Sequence, residues 1–89
     1  MHSAATSVYK PADFKDDSLY LVYIDVPLKG KGYTQIHTLI QSWYPKLVDG
    51  GFMIGHDISD EEVSEAVYWS FSAEINITDQ VWMAQKNAV

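Results

Sequence analysis

The chain has 89 residues, six basic and twelve acidic side chains for a formal net charge of −6, and no cysteine. A chain of this size is one small domain that hides only about 60 to 65% of its unfolded surface, and the missing cysteines exclude disulfides, thiolate metal sites and thiol nucleophiles. All six basic residues are lysine, so arginine's bidentate phosphate clamp is lacking and nucleic acid is not an expected partner; with no run of about 18 apolar residues and no basic-then-apolar start, neither a membrane span nor a signal peptide is expected, and the expected address is cytoplasmic.

Hydrophobic residues make up 47% of the chain, with three Trp, six Tyr and three Phe, the composition of a folded domain. At the N-terminus "SAATSVY" reads as a helical turn or two, broken by Pro11. Residues 19 to 24, "LYLVYI", form a nearly unbroken β-branched and aromatic run, the pattern of a strand covered on both faces. After Pro27 and the loop "KGKG", Ile36, Leu39, Ile40, Trp43 and Leu47 recur in steps of three and four, which predicts a helix ending near Val48, ahead of "DGG". That loop is read as mobile, the alternative being an anion cradle on free amides. Phe52 to Ile54 then make a short apolar strand between glycines. Ser59 with Glu62 predicts a capping box, the acids at 60 to 62 suit the positive end of a helix, and Val63, Ala66, Val67 and Phe71 supply its buried stripe. Ala73, Ile75 and Ile77 alternate with polar neighbours, as do Val81 and Met83 around Trp82, which predicts a terminal hairpin or a pair of neighbouring strands.

Strand, helix, strand, helix, strand is the rhythm of an open, largely parallel sheet with right-handed crossovers. The first two strands are then parallel neighbours, about 4.8 Å apart. Asp25 closes one and Asp57 the other, so two carboxylates reach the same C-terminal edge, where such sheets bind ligands and where a divalent cation can be shared. The plainer readings are loop-starting acids that satisfy nearby amides and a histidine, His56, hydrogen-bonded to its surroundings. His37 falls off the apolar stripe and reads as solvated. Trp43, Trp69 and Trp82 read as packing.

From "SLYLVYID" through "YTQIHTLIQSWYPKLVDGGFMIGHDI" to "VSEAVYWSF" and "VWMAQK", the chain resembles the C-terminal half of class I S-adenosylmethionine-dependent methyltransferases. It is most similar to the branch of small-molecule and sugar O-methyltransferases whose strands read like "VFIDGDHSY" and "LLKPGGLIVGHDY". The likeness covers most of residues 14 to 86. It implies a single domain over residues 1–89 with a partial Rossmann-like α/β sheet: Leu19 to Asp25 as the fourth strand of seven, Phe52 to Ile54 as the fifth, and the hairpin as the sixth and the reversed seventh. It further implies that Asp25 is a cation ligand beside the methyl donor, Asp57 a second ligand of Mg or another divalent cation, His56 a general base toward the hydroxyl of a small-molecule acceptor, and Tyr33 a substrate-binding residue. Ile58 stands where some relatives carry a third ligand.

The resemblance also implies S-adenosylmethionine as cofactor, bound through a glycine-rich turn after a first strand and an acid ending the second. All five glycines here fall between residues 30 and 55, and only 24 residues precede Asp25. The chain is therefore expected to be a truncated or split relative that carries the acceptor and metal side without the donor side; the alternative is a non-catalytic remnant serving in assembly or as a partner subunit. Without the strand that flanks the fourth in the intact sheet, "LYLVYI" is expected to be an open edge. A homodimer, or a complementing N-terminal half, is expected to cover residues 19–24.

Overall fold

The computed structural model describes residues 3–71 and 75–86. Ser3–Ala5 (β1), Leu19–Tyr23 (β2), Leu47–Gly55 (β3), Ile75–Thr78 (β4) and Val81–Gln85 (β5) form one sheet in the order β1-β2-β3-β5-β4, with Tyr33–Trp43 (α1) and Glu61–Ser70 (α2) as its helices. The first three strands are mutually parallel, and β5 runs antiparallel to both β3 and β4. This is the predicted partial Rossmann-like arrangement, with the reversed strand lying between β3 and β4.

Register explains where the core sits. Ala4, Val22, Met53, Ala84 and Ile75 stand in one cross-strand row, and the first four are buried. Against this face α1 packs Ile36, Ile40 and Trp43 and α2 packs Val63, Ala66 and Val67, all in one apolar cluster. The helices touch each other, so both crossovers lie on the same side of the sheet. The next row, Ala5, Tyr23, Ile54, Met83 and Asn76, points the other way because side chains alternate along a strand. Leu21 and Phe52 pair on that same second face. Among the described residues no helix lies there, and the positions paired in these rows are uncharged.

The strands and helices depart from the periodicities at four places, each for a local reason. The segment "SAATSVY" opens as a strand rather than a helical turn: Ser3 to Ala5 pair with Leu21 to Tyr23. The edge of the 19–24 run is thus occupied over those residues by the chain itself, which corrects the expectation of an open strand. The chain then turns back, with the Val8 and Tyr9 amides donating to the Ala5 carbonyl at 3.1 and 3.2 Å. Leu47 belongs to β3, where it pairs with Leu19. Pro45 cannot donate to the Gln41 carbonyl, so α1 gives way at Trp43 to a single 3₁₀ turn, Tyr44–Lys46.

The "DGG" that reads as a helix stop is instead an irregularity inside β3. Gly50 adopts φ +84, and the pairing with β2 shifts register between Leu19 and Leu21. Lys86 clips this region: its backbone pairs with Gly50 and Gly51, and its ammonium donates to the Leu47 carbonyl at 2.8 Å while lying 5.0 Å from the Tyr44 ring centre. Finally, the α2 cap is Asp60, not Ser59. The Asp60 carboxylate accepts from the Val63 amide at 3.2 Å, whereas the Ser59 hydroxyl donates to Gln80 Oε1 at 2.6 Å. The turn closed by the Asp60 amide on the Asp57 carbonyl sets the helix start one residue later. Ala73 lies outside the described residues.

Gly55 is held by close approach. It sits in register with Trp82, and a methyl group at this position would stand 2.6 Å from Trp82 Nε1. Trp82 is fully buried and its indole N–H donates to the His56 carbonyl at 3.3 Å, so the ring cannot move aside without losing that bond. Gly55→Ala is expected to cost about 1 to 3 kcal/mol of unfolding free energy by overpacking. Measured by urea denaturation in a double-mutant cycle, the cost should shrink in a Trp82→Leu background; strict additivity would show that the ring is not the obstacle.

Candidate functional site

The carboxyl ends of β2 and β3 bring three of the sequence-predicted residues together. Asp25, His56 and Asp57, with Val26, Pro27 and Gln80, line an open depression of about 310 Å³. Asp57 also borders a second depression of about 470 Å³, shared with Lys29, Ser59, Asp60, Glu61 and Gln80. Tyr33 lines neither. It lies in the first turn of α1, stacked on His37 with centroids 5.7 Å apart and planes 10° from parallel, and packs against the edge of the core.

Asp25 follows the end of β2 and grips the turn after β1. Its Oδ1 accepts from the Ser7 amide at 2.8 Å and the Thr6 hydroxyl at 3.3 Å, and its Oδ2 accepts from the Ser7 hydroxyl at 2.6 Å. The Ser7 hydroxyl bond chiefly, then the backbone amides and Thr6, holds this carboxyl below the usual carboxylate range against some opposing desolvation. Both oxygens are thus engaged in tying the N-terminal strand to β2.

Asp57 does comparable work on the other side. Its backbone is left-handed at φ +65, a conformation that short polar side chains tolerate better than most. Oδ2 accepts from the Leu28 amide at 3.0 Å and the Lys29 amide at 3.2 Å. Those two amides chiefly, helped by the charges of His56 and Lys29, hold its carboxyl below the usual range although partial burial pushes the other way. Since Leu28 is fully buried, the bond anchors the loop leaving β2 to the end of β3. The same bond pins the start of the "KGKG" segment, Lys29.

His56 sits between these clamps. Its Nε2 lies 3.4 Å from the Tyr23 hydroxyl and the two rings meet edge to face, centroids 5.6 Å apart. Tyr23 and Gln80 are site residues that periodicity did not point to. Tyr23 comes from the last position of β2, and Gln80 from the hairpin turn, where its carbonyl accepts from the Ile58 amide at 3.3 Å. The available signal for Tyr23 is its place two residues before Asp25, the same spacing that separates Ile54 from His56 on the neighbouring parallel strand.

The case for a cation here rests on few oxygens. Among the described residues, no group of three or more His, Cys, Asp or Glu is arranged to hold a metal ion. Ile58, at the position of a possible third ligand, is buried in the apolar cluster. No described helix is long and apolar enough to cross a membrane.

Neither a protein-family model nor a curated protein sequence matches the chain. Solved structures do: the structure of the O-methyltransferase NovP superposes with a TM-score of 0.60 at 20% sequence identity, over 81% of this chain and 31% of that one. At that identity the likeness defines the fold, which is methyltransferase-like. The chain spans about a third of the length of the solved chain it matches.

The two aspartates make stability depend on acid in a definite direction. A carboxyl whose folded pKa lies below its unfolded value, about 3.9, contributes fully above that value and loses the contribution as pH falls through the folded one. The melting temperature should therefore hold from neutral pH to about pH 5 and fall below about pH 4. In the double variant Asp25→Asn, Asp57→Asn the starting value should be lower and the acid limb shallower. An acid limb as steep as the parent's would assign the loss to other groups.

Proposed function

We propose that this chain is the acceptor side of an S-adenosylmethionine-dependent O-methyltransferase-type domain, the C-terminal half of its sheet, truncated or split from the donor-binding half. The observation that carries this reading is the strand order, two parallel strands followed by a reversed strand inserted before the last, together with a solved O-methyltransferase matching most of this chain. A small molecule with a hydroxyl group is the acceptor, His56 its general base at the rim of the depression, and Tyr33 a more distant contact. Cytoplasm is the proposed address.

The methyl donor does not fit the described residues. The glycines that would let backbone approach it are otherwise committed: Gly50 to the irregularity in β3, Gly51 to contact with the Tyr20 and Val48 carbonyls, Gly55 to Trp82. Gly30 and Gly32 lie in the loop before α1. Donor binding is accordingly assigned to polypeptide outside residues 1–89, and Asp25, bound to Ser7 and Thr6, joins in it only once those bonds are released. A divalent cation is assigned to Asp57, through the oxygen outside its amide clamp, with Asp25 as second ligand on the same condition.

A second reading is favoured by the engagement of both Asp25 oxygens in holding β1. A carboxylate spent on the chain's own backbone suits a non-catalytic assembly or partner subunit. Under either reading the sheet face away from the helices is where a second copy or a complementing half is seated, since parallel strands are ordinarily covered on both faces. A strand partner would pair with β1, or replace it along Leu21 to Tyr23.

Calorimetric titration of the 89-residue chain with S-adenosylmethionine should give no heat of binding; micromolar affinity would overturn the assignment of the donor site elsewhere. Magnesium or manganese should raise the melting temperature of the native chain by a few degrees at concentrations well above the dissociation constant, and should not do so in Asp57→Ala. Equal shifts in both proteins would remove Asp57 as a ligand.

A further inference from the structure

The Tyr23–His56 pair is built from both strands and fixed on each side. Tyr23 stands opposite Ile54 in the parallel register, and His56, two residues beyond Ile54, emerges on the same face of the sheet. The Thr6 amide donates to the Tyr23 carbonyl at 3.0 Å, and the Trp82 indole donates to the His56 carbonyl at 3.3 Å. Two anchored backbones thus present a phenol and an imidazole to one another, rings at 62°.

A neutral imidazole carries one N–H and one lone pair, and its hydrogen-bond partner decides which nitrogen holds which. We propose that Tyr23 is a positioning residue for His56: its hydroxyl donates to Nε2, which places the ring proton on Nδ1 and keeps the Nε2 lone pair on a residue that lines the depression. This deepens the methyl-transfer reading and rests on it for its chemistry. An alcohol or phenol entering the depression replaces the Tyr23 hydroxyl at the same lone pair and delivers its proton there, so its oxygen gains the electron pair needed for methylation. The present separation of 3.4 Å is long for a hydroxyl bond, as suits a partner that must be displaced.

Long-range proton–nitrogen spectra of the nitrogen-15-labelled chain at mildly alkaline pH read the tautomer directly. The native chain should show His56 mainly as the Nδ1–H form. Tyr23→Phe should shift it toward the Nε2–H form by roughly fivefold in ratio, the size of one net hydrogen bond, while His37 stays unchanged as internal reference. An Nε2–H ring in the native chain, which needs no variant to detect, or equal ratios in both proteins, would overturn the assignment. The tautomer is read in the chain without methyl donor or metal, so it stands or fails apart from the donor-site assignment that the calorimetric titration tests.

Discussion

Trp82 lying against Gly55 is the contact on which the carboxyl edge of the central strands depends. The reversed strand β5 brings this ring into the core, where it meets Phe71 with centroids 6.2 Å apart, and its indole N–H donates to the His56 carbonyl. A buried indole N–H without an acceptor is costly, so the position of His56 follows from the packing of a residue 26 positions away. Gly55 is the concession the backbone makes to let the ring in. Alternation then turns the next side chain, His56, to the opposite face, toward Tyr23. The geometry of this strand end and the packing of the core are here one problem.

The two strand-end aspartates share a device. Each follows a parallel strand and spends oxygen on the backbone of a neighbouring loop: Asp25 on the turn after β1, Asp57 on residues 28 and 29. Carboxylates held by amides are ionised and oriented, which suits ligand binding, but they are also committed. Asp25 is the more committed of the two, since it bonds through both oxygens. The depression between them accordingly has a rim whose shape is set by loop closure.

Much of this was legible in the sequence because the apolar runs are long for their elements. "LYLVYI" reads as a strand and the stripe through Ile36, Ile40 and Trp43 as a helix, although the cover expected on both faces of the strand is absent among the described residues, where Tyr20 and Tyr23 are exposed; the acids after "LYLVYI" and "FMIG" pointed to the candidate site. What failed depended on choices between local signals of similar strength. "DGG" marks a helix stop or a strand irregularity equally well, and only the pairing with Lys86 and the proline at 45 decide it. Ser59 and Asp60 are both good caps, and Gln80 from a distant turn takes the serine. Three residues of β1 are too few to show a period. Tyr23 entered the site through cross-strand register, of which its place two residues before Asp25 is only a faint linear sign.

The one-sided packing has an electrostatic consequence. On the sheet face away from the helices the paired strand positions are uncharged, while the chain as a whole has a net charge of −6, so among the described residues most of the charge lies on the helices, the rim and the loops. Another acidic protein approaching from those directions meets repulsion, and one approaching the bare face meets the least. The molecule thus sorts encounters by orientation before any surfaces touch, and high salt, by screening the repulsion, would make that sorting less strict.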